Sequence, residues 1–305
     1  MSEDGGITPG PDGNLWLAVW TRSRGNEIAK LTPAGMMTVY PLPAPANDEL
    51  QVGGLVPLDF ITSGPDGNIW MPDFWRMDEI TTAGAVTTYP IPHLTTYGPR
   101  SITTGPDGNL WYTETDNNHD VLGRITTSGV VTEWNLAPYD SPVDVTAGPD
   151  GNLWVLQDDS ITKVAPSGAI LAEYSLPTSD CYPSAITVGP DGNLWFTETD
   201  CNAIGRITMQ GAISEFPIPT RLAPPVTSTM PTGITRGPDG DLWFTENRAD
   251  QIGCITPSGV ITDYSLPEGT TSPQGITALP DGTLWFDEWN FNYPTPPSIY
   301  KIIVP

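Results

Sequence analysis

Basic residues are scarce in this chain: 12 Lys and Arg stand against 36 Asp and Glu in 305 residues, a formal net charge of −24. Such a surface repels phosphate backbones and anionic lipid, so neither nucleic acid nor a membrane is expected as a partner. The ordinary consequence of the charge is solubility. There are two histidines and three cysteines, none at zinc-ligand spacing. His-Glu-x-x-His, a serine nucleophile elbow and a phosphate-binding glycine loop are all missing, which leaves those enzyme classes without support. No apolar run is long enough to span a bilayer. No signal-like stretch follows Met1, so the expected location is the cytoplasm, or outside it if a leader has been trimmed. No segment carries a helical hydrophobic period.

What the chain does have is repetition. Pro-Asp-Gly recurs at Pro11, Pro65, Pro106, Pro149, Pro190, Pro238 and Pro280, each time with a Trp three residues after the Gly. These are Trp16, Trp70, Trp111, Trp154, Trp195, Trp243 and Trp285, spaced by 54, 41, 43, 41, 48 and 42 residues. A period in the forties built from short β-branched and aromatic runs predicts an all-β, seven-bladed β-propeller. The blades fall at about 5–43, 59–92, 100–138, 143–177, 184–219, 232–267 and 274–305, within one domain spanning 1–305. Each reads as four antiparallel strands, A to D. Pro-Asp-Gly makes the A–B hairpin and a second glycine turn, as at Ser128-Gly129, joins C to D. The seventh repeat stops after strand C at Ile299–Pro305, so blade 7 is expected to have three strands unless Met1–Gly6 pairs with it. Each strand-B Trp is expected as core, wedged between blades.

Antiparallel order puts the monotonous glycine turns on one face of the disc. The B–C loops and D-to-A connections share the other, which carries every change of length: Ala44–Pro57, Arg221–Pro231 and Trp289–Pro297. Variable loops on a rigid scaffold are where binding and catalysis gather, so a ligand is expected at the central mouth of that face. Cys181 and Cys201 both lie there in blade 5, close enough for a disulfide; Cys254, in strand C of blade 6, is expected to be free.

The repeat Gly-Pro-Asp-Gly-Asn-Leu-Trp-Phe-Thr-Glu … Ile-Gly-Arg-Ile-Thr … Glu-Phe-Pro-Ile-Pro, as in Gly189–Pro219, resembles the virginiamycin B lyase family over essentially the whole chain. The resemblance implies elimination of a cyclic depsipeptide, with a base taking the proton beside the ester carbonyl and Mg²⁺ holding the developing charge. It also implies histidines one residue before the strand-A Gly/Ala-Ile-Thr motif of the last two blades, a Tyr at that ring position in blade 1, and a metal-binding Glu in the B–C region of the last blade. Here the ring positions are Gly5, Asp59, Arg100, Val143, Ser184, Thr232 and Gln274. Thr232 and Gln274 replace the histidines and Gly5 replaces the Tyr, so little elimination of streptogramin B compounds is expected. Glu288 is the counterpart of the carboxylate, offset by one from Trp289.

Carboxylates stand three residues after the Trp at Asp73, Glu114, Glu198, Glu246 and Glu288. Repetition favours a structural task, such as pairing with Arg on strand C. Glu288 is the exception, since its blade lacks that Arg. The catalytic candidates are His119 and Glu288. Asp59, His93, Tyr97, Arg100, Gln274, Trp289 and Tyr293 are the substrate-binding candidates, and Asp59, Asp144 and Glu288 are candidate oxygen ligands for Mg²⁺ or Ca²⁺. Three functions stay open. The first is a lyase-like enzyme acting on a cyclic or polyketide- or peptide-like small molecule without the family's histidines. The second is a non-catalytic propeller binding a small ligand, glycan or peptide, and the third is a Ca²⁺-dependent lactonase-type hydrolase. A monomer with a small-molecule ligand is expected.

Overall fold

In the computed structural model, residues 6–21, 25–43, 60–73, 76–91, 98–115, 120–136, 141–219, 228–288 and 298–304 are described. Among them are seven antiparallel sheets and no helix. Blade 5 shows the pattern, with A at Pro183–Val188, B at Leu194–Glu198, C at Ala203–Ile207 and D at Ile213–Pro217, hydrogen-bonded in that order. Six blades have four strands; blade 7 has three, Pro273–Ala278, Thr283–Glu288 and Ile299–Ile303. The A strands pack side by side around the axis, and that of blade 7 meets that of blade 1, Ile7–Pro9.

The Gly-Pro-Asp-Gly turn fixes more than the hairpin. Gly192 sits at φ +75°, where a Cβ is costly. Asp191 accepts a hydrogen bond from the Trp195 indole N–H at 3.0 Å. A Cβ on Gly189 would run into that same indole. The motif is therefore a Trp holder, and the equivalent bond recurs in blades 1 to 6. Blade 7 has Leu279 in place of the first glycine, and there Trp285 donates to Thr283 Oγ1 instead. The anchored Trp fills the gap to the next blade, as expected: Trp154 packs on Ile186, Leu194 and Phe196 of blade 5.

The outer strands add a contact the periodicity did not reveal. In each of blades 1 to 6 a strand-D aromatic stacks on that blade's Trp, as Tyr40 on Trp16 and Phe216 on Trp195. For the first five of these blades the same ring also fills the space over the C–D turn glycine of the next blade. Tyr40 covers Gly84, Tyr89 covers Gly129, Trp134 covers Gly168, Tyr174 covers Gly211 and Phe216 covers Gly259. In blades 1, 3, 4 and 5 a Lys or Arg from strand C lies over the Trp, as Arg206 does over both Trp195 and Phe216.

Candidate functional site

Strand A of blades 3 to 7 pairs with strand B through a bulge at its variable-face end. In blades 3, 5, 6 and 7 two strand-A residues oppose one strand-B residue, and the ring position is the first of the two. Arg100, Ser184, Thr232 and Gln274 thus owe their place at the mouth to a bulge, a device that re-aims side chains next to functional sites. The opposing strand-B residue caps the bulge. Thr113 Oγ1 accepts from Ser101 N at 3.2 Å, Thr197 Oγ1 from Ala185 N at 3.0 Å, and Thr245 Oγ1 from Gly233 N at 2.9 Å. The last two hydroxyls also donate to carbonyls of the following blade, Thr232 O and Gln274 O.

In blade 7 that capping residue is Asp287, which sequence reasoning passed over. Its Oδ1 accepts from Gly275 N at 2.7 Å. Its own backbone N–H is a second donor to the carboxyl. Burial raises its carboxyl to about 7, against the pull of the Gly275 N–H. The neighbouring ring position, Gln274, is itself buried, and its Oε1 has no partner among the described residues. The signal was available in the sequence: Asp stands two residues after the Trp only in this blade, where blades 3, 5 and 6 have Thr.

Of the candidates read from the sequence, Arg100, Asp144, Gln274 and Glu288 are described; Asp59, His93, Tyr97, His119, Trp289 and Tyr293 lie outside the described residues. The structure places Arg100 beside Asp144, whose carboxyl is raised to about 6 because burial outweighs its hydrogen bonds and the Arg100 charge. Asp144 ties three blades together: Oδ1 accepts from Ser101 Oγ and Val145 N, and Oδ2 from Ile186 N at 2.8 Å. Glu288 Oε1 accepts from Thr271 N, and Oε2 from the Tyr300 hydroxyl at 3.1 Å, which fastens the connection entering blade 7. Both carboxylates thus spend both oxygens on protein donors. Neither of these two candidate ligands therefore has a carboxylate oxygen without a protein donor to offer a divalent ion. Among the described residues the group of potential metal ligands is Asp239, Asp241 and Cys254, on the opposite, Pro-Asp-Gly face.

The expected pairing of the repeated carboxylates with strand-C arginines is made by Asp73 with Arg76. Arg124 reaches the turn carboxylate Asp107 at 3.5 Å and Arg206 donates to Pro257 O at 3.2 Å, each lying over its blade's Trp. The long side chains are drawn to the rings and away from strand B's end. Glu198 faces Glu215, and burial together with that neighbour raises it to about 8. Glu246 lies near Thr229 and Asp263 and is raised to about 7, with burial the main cause. Cys181 and Cys201 form a disulfide with Cα atoms 4.9 Å apart, and Cys254 is free and buried, as expected.

The fold is that of a seven-bladed β-propeller whose inner strands are bulged in blades 3 to 7. The virginiamycin B lyase family model matches residues 2–170 and 57–293, and the chain belongs to that family. It is similar to a streptogramin B lyase structure at 34% identity, covering 93% of this chain and 90% of that one, with a TM-score of 0.78. A catalytically inactive virginiamycin B lyase from Staphylococcus aureus, solved with quinupristin, gives 33% identity, 93% and 92% coverage and a TM-score of 0.77. The periplasmic gluconolactonase of Pseudomonas aeruginosa, at 14% identity and a TM-score of 0.64, shares the fold alone. No curated protein sequence matches the chain.

Proposed function

We propose that this protein is a small-molecule enzyme of lyase type, acting on a cyclic or peptide- or polyketide-like compound at the variable-face mouth, with Asp287 as its base. The observation that carries this reading is the blade 7 bulge. A buried carboxyl raised to about 7 sits behind the ring position where relatives by resemblance place a histidine. A base poised near neutral pH suits abstraction of a proton beside a carbonyl. Asp287 would take that proton, the freed C–H electron pair would form a carbon–carbon double bond to the adjacent carbon, and that carbon's ester C–O bond would break with its electron pair leaving on the carboxylate. Gln274 would orient the substrate by accepting a hydrogen bond at Oε1, and Arg100 would attract its polar groups. His119, Glu288, Asp59, His93, Tyr97, Trp289 and Tyr293 complete the proposed wall of the mouth, with Glu288 holding the connection that shapes it.

A panel of cyclic depsipeptides and lactones, followed by mass spectrometry, tests the reading, since elimination leaves the mass unchanged while hydrolysis adds one water. Ring opening without mass change, lost in Asp287→Asn, is expected. Hydrolysis would favour the lactonase alternative. Saturable binding with no turnover of any compound would leave a binding propeller.

A further inference from the structure

In blades 1, 3, 4 and 7 a cation of the chain itself sits beside the Pro-Asp-Gly turn. Lys30, Arg124, Lys163 and Lys301 lie 3.7, 3.5, 2.7 and 3.7 Å from the turn carboxylates Asp12, Asp107, Asp150 and Asp281. Each also lies over its blade's Trp, as Arg206 does in blade 5. Blade 2 has Glu79 there instead, and its oxygens accept from Asn68 Nδ2 and the Tyr89 hydroxyl. Blade 6 keeps the turn carboxylate, Asp239, which accepts from the Trp243 indole N–H at 3.1 Å, and keeps the stacked ring, Tyr264. Opposite Trp243, however, stands Cys254, and Asp241 takes the place of the Asn found in blades 1 to 5. This one spot has lost a cation and gained an anion. No ion pair to Asp239 or Asp241 occurs among the described residues.

We propose that Asp239, Asp241 and Cys254 bind a divalent ion of the zinc class, a diffusible replacement for the Lys or Arg that the sister blades carry. The sister turn carboxylates hold a cation at the same place, which marks the pocket as a cation site independently of the added acid and thiol. Cys254 is 7% exposed, and among the described residues its thiol meets no polar partner but Asp241 Oδ2, at 3.9 Å. One ligand atom from each of the three side chains lies within 4.8 Å of the others. Ligands of a tetrahedral zinc ion stand about 3.3–3.7 Å apart, so a small inward shift closes the site. The sulfur ligand selects zinc over magnesium and calcium, which prefer oxygen alone. Binding would release the Cys254 thiol proton to solvent and leave a thiolate on the ion. The pocket lies on the Pro-Asp-Gly face, away from the mouth, and Trp243 and Cys254 pack on Ile276, Leu284 and Phe286 of blade 7. The ion's task there is to hold the seam between blades 6 and 7.

The test titrates the whole chain, first stripped with a chelator, with Co²⁺ and then Zn²⁺. One equivalent of Co²⁺ should bind with a sulfur-to-cobalt charge-transfer band, Zn²⁺ should displace it, and Tm should rise with either ion. Cys181 and Cys201 are joined and Cys254 is the free thiol, so the band reports Cys254, and an ion at the mouth would give none. Cys254→Ser should lose the band and weaken binding at least about tenfold. Asp241→Asn should weaken binding by a similar factor, although it relieves the carboxylate pair of the ion-free fold. Cys254→Arg, the residue of blades 3 and 5, should abolish binding and bring the Tm of the ion-free protein close to that of the zinc-loaded parent. No band at saturating Co²⁺, half-saturation only above about 1 mM, or full binding by Cys254→Ser would overturn the proposal.

Discussion

Asp287 and Asp241 show what single departures from the repeat do. Asp241 takes the place where Asn14, Asn109 and Asn193 donate to the turn carboxylate. Burial and the Asp239 charge raise its carboxyl, and Cys254 replaces the Lys or Arg found there in blades 1, 3, 4, 5 and 7. Asp241→Asn should restore the bond and stabilise the fold by about 1 kcal/mol, read by chemical denaturation. Asp287→Thr installs the residue of the sister blades. It should raise Tm at alkaline pH and abolish turnover, a trade of stability against function. A Tm unchanged and activity retained would count against both roles given to Asp287. Neither substitution is visible in the composition; both emerge only once the blades are aligned and the bulge shows what the position caps.

At the scale of the element, the hairpins were legible because their chemistry is local. Pro, Asp and Gly each meet one conformational demand, and the Trp follows at fixed spacing. The bulges and the aromatic sockets were not, because they arise between strands and between blades, where sequence distance gives no register. Trp195→Ala should lower stability by about 3–5 kcal/mol through the cavity left between blades 5 and 6, measured by urea unfolding, while Arg100→Ala should leave Tm nearly unchanged. The Cys181–Cys201 bond ties the connection entering blade 5 to its B–C loop across a separation of 20 residues. Its removal by double Ser substitution should cost about 3 kcal/mol, with Cys254 reacting with thiol reagents only on unfolding. Loop-length variation pointed to the mouth as a region, but its described carboxylates had structural partners that no linear reading reveals.

For the whole molecule, the pH dependence of stability runs against the usual acid-labile pattern. Glu198, Glu246, Asp287, Asp144 and Asp78 are raised to about 8, 7, 7, 6 and 6 respectively, chiefly by burial. A carboxyl raised in the folded state contributes stability that is present below its unfolded pKa and lost as pH rises through the folded value. Tm should therefore fall between about pH 4 and pH 8, and Glu198→Gln should flatten the upper part of that fall. A Tm constant across the range would contradict the buried, raised carboxyls. The central claim is that one of them, Asp287, is a base poised for use at the mouth. Its most direct test is a ¹³C NMR titration of the Asp side-chain carboxyls, with the Asp287 signal assigned by its loss in Asp287→Asn. The account predicts a midpoint near 7 that moves when a mouth ligand binds; a midpoint in the ordinary carboxylate range, unmoved by ligand, would contradict it.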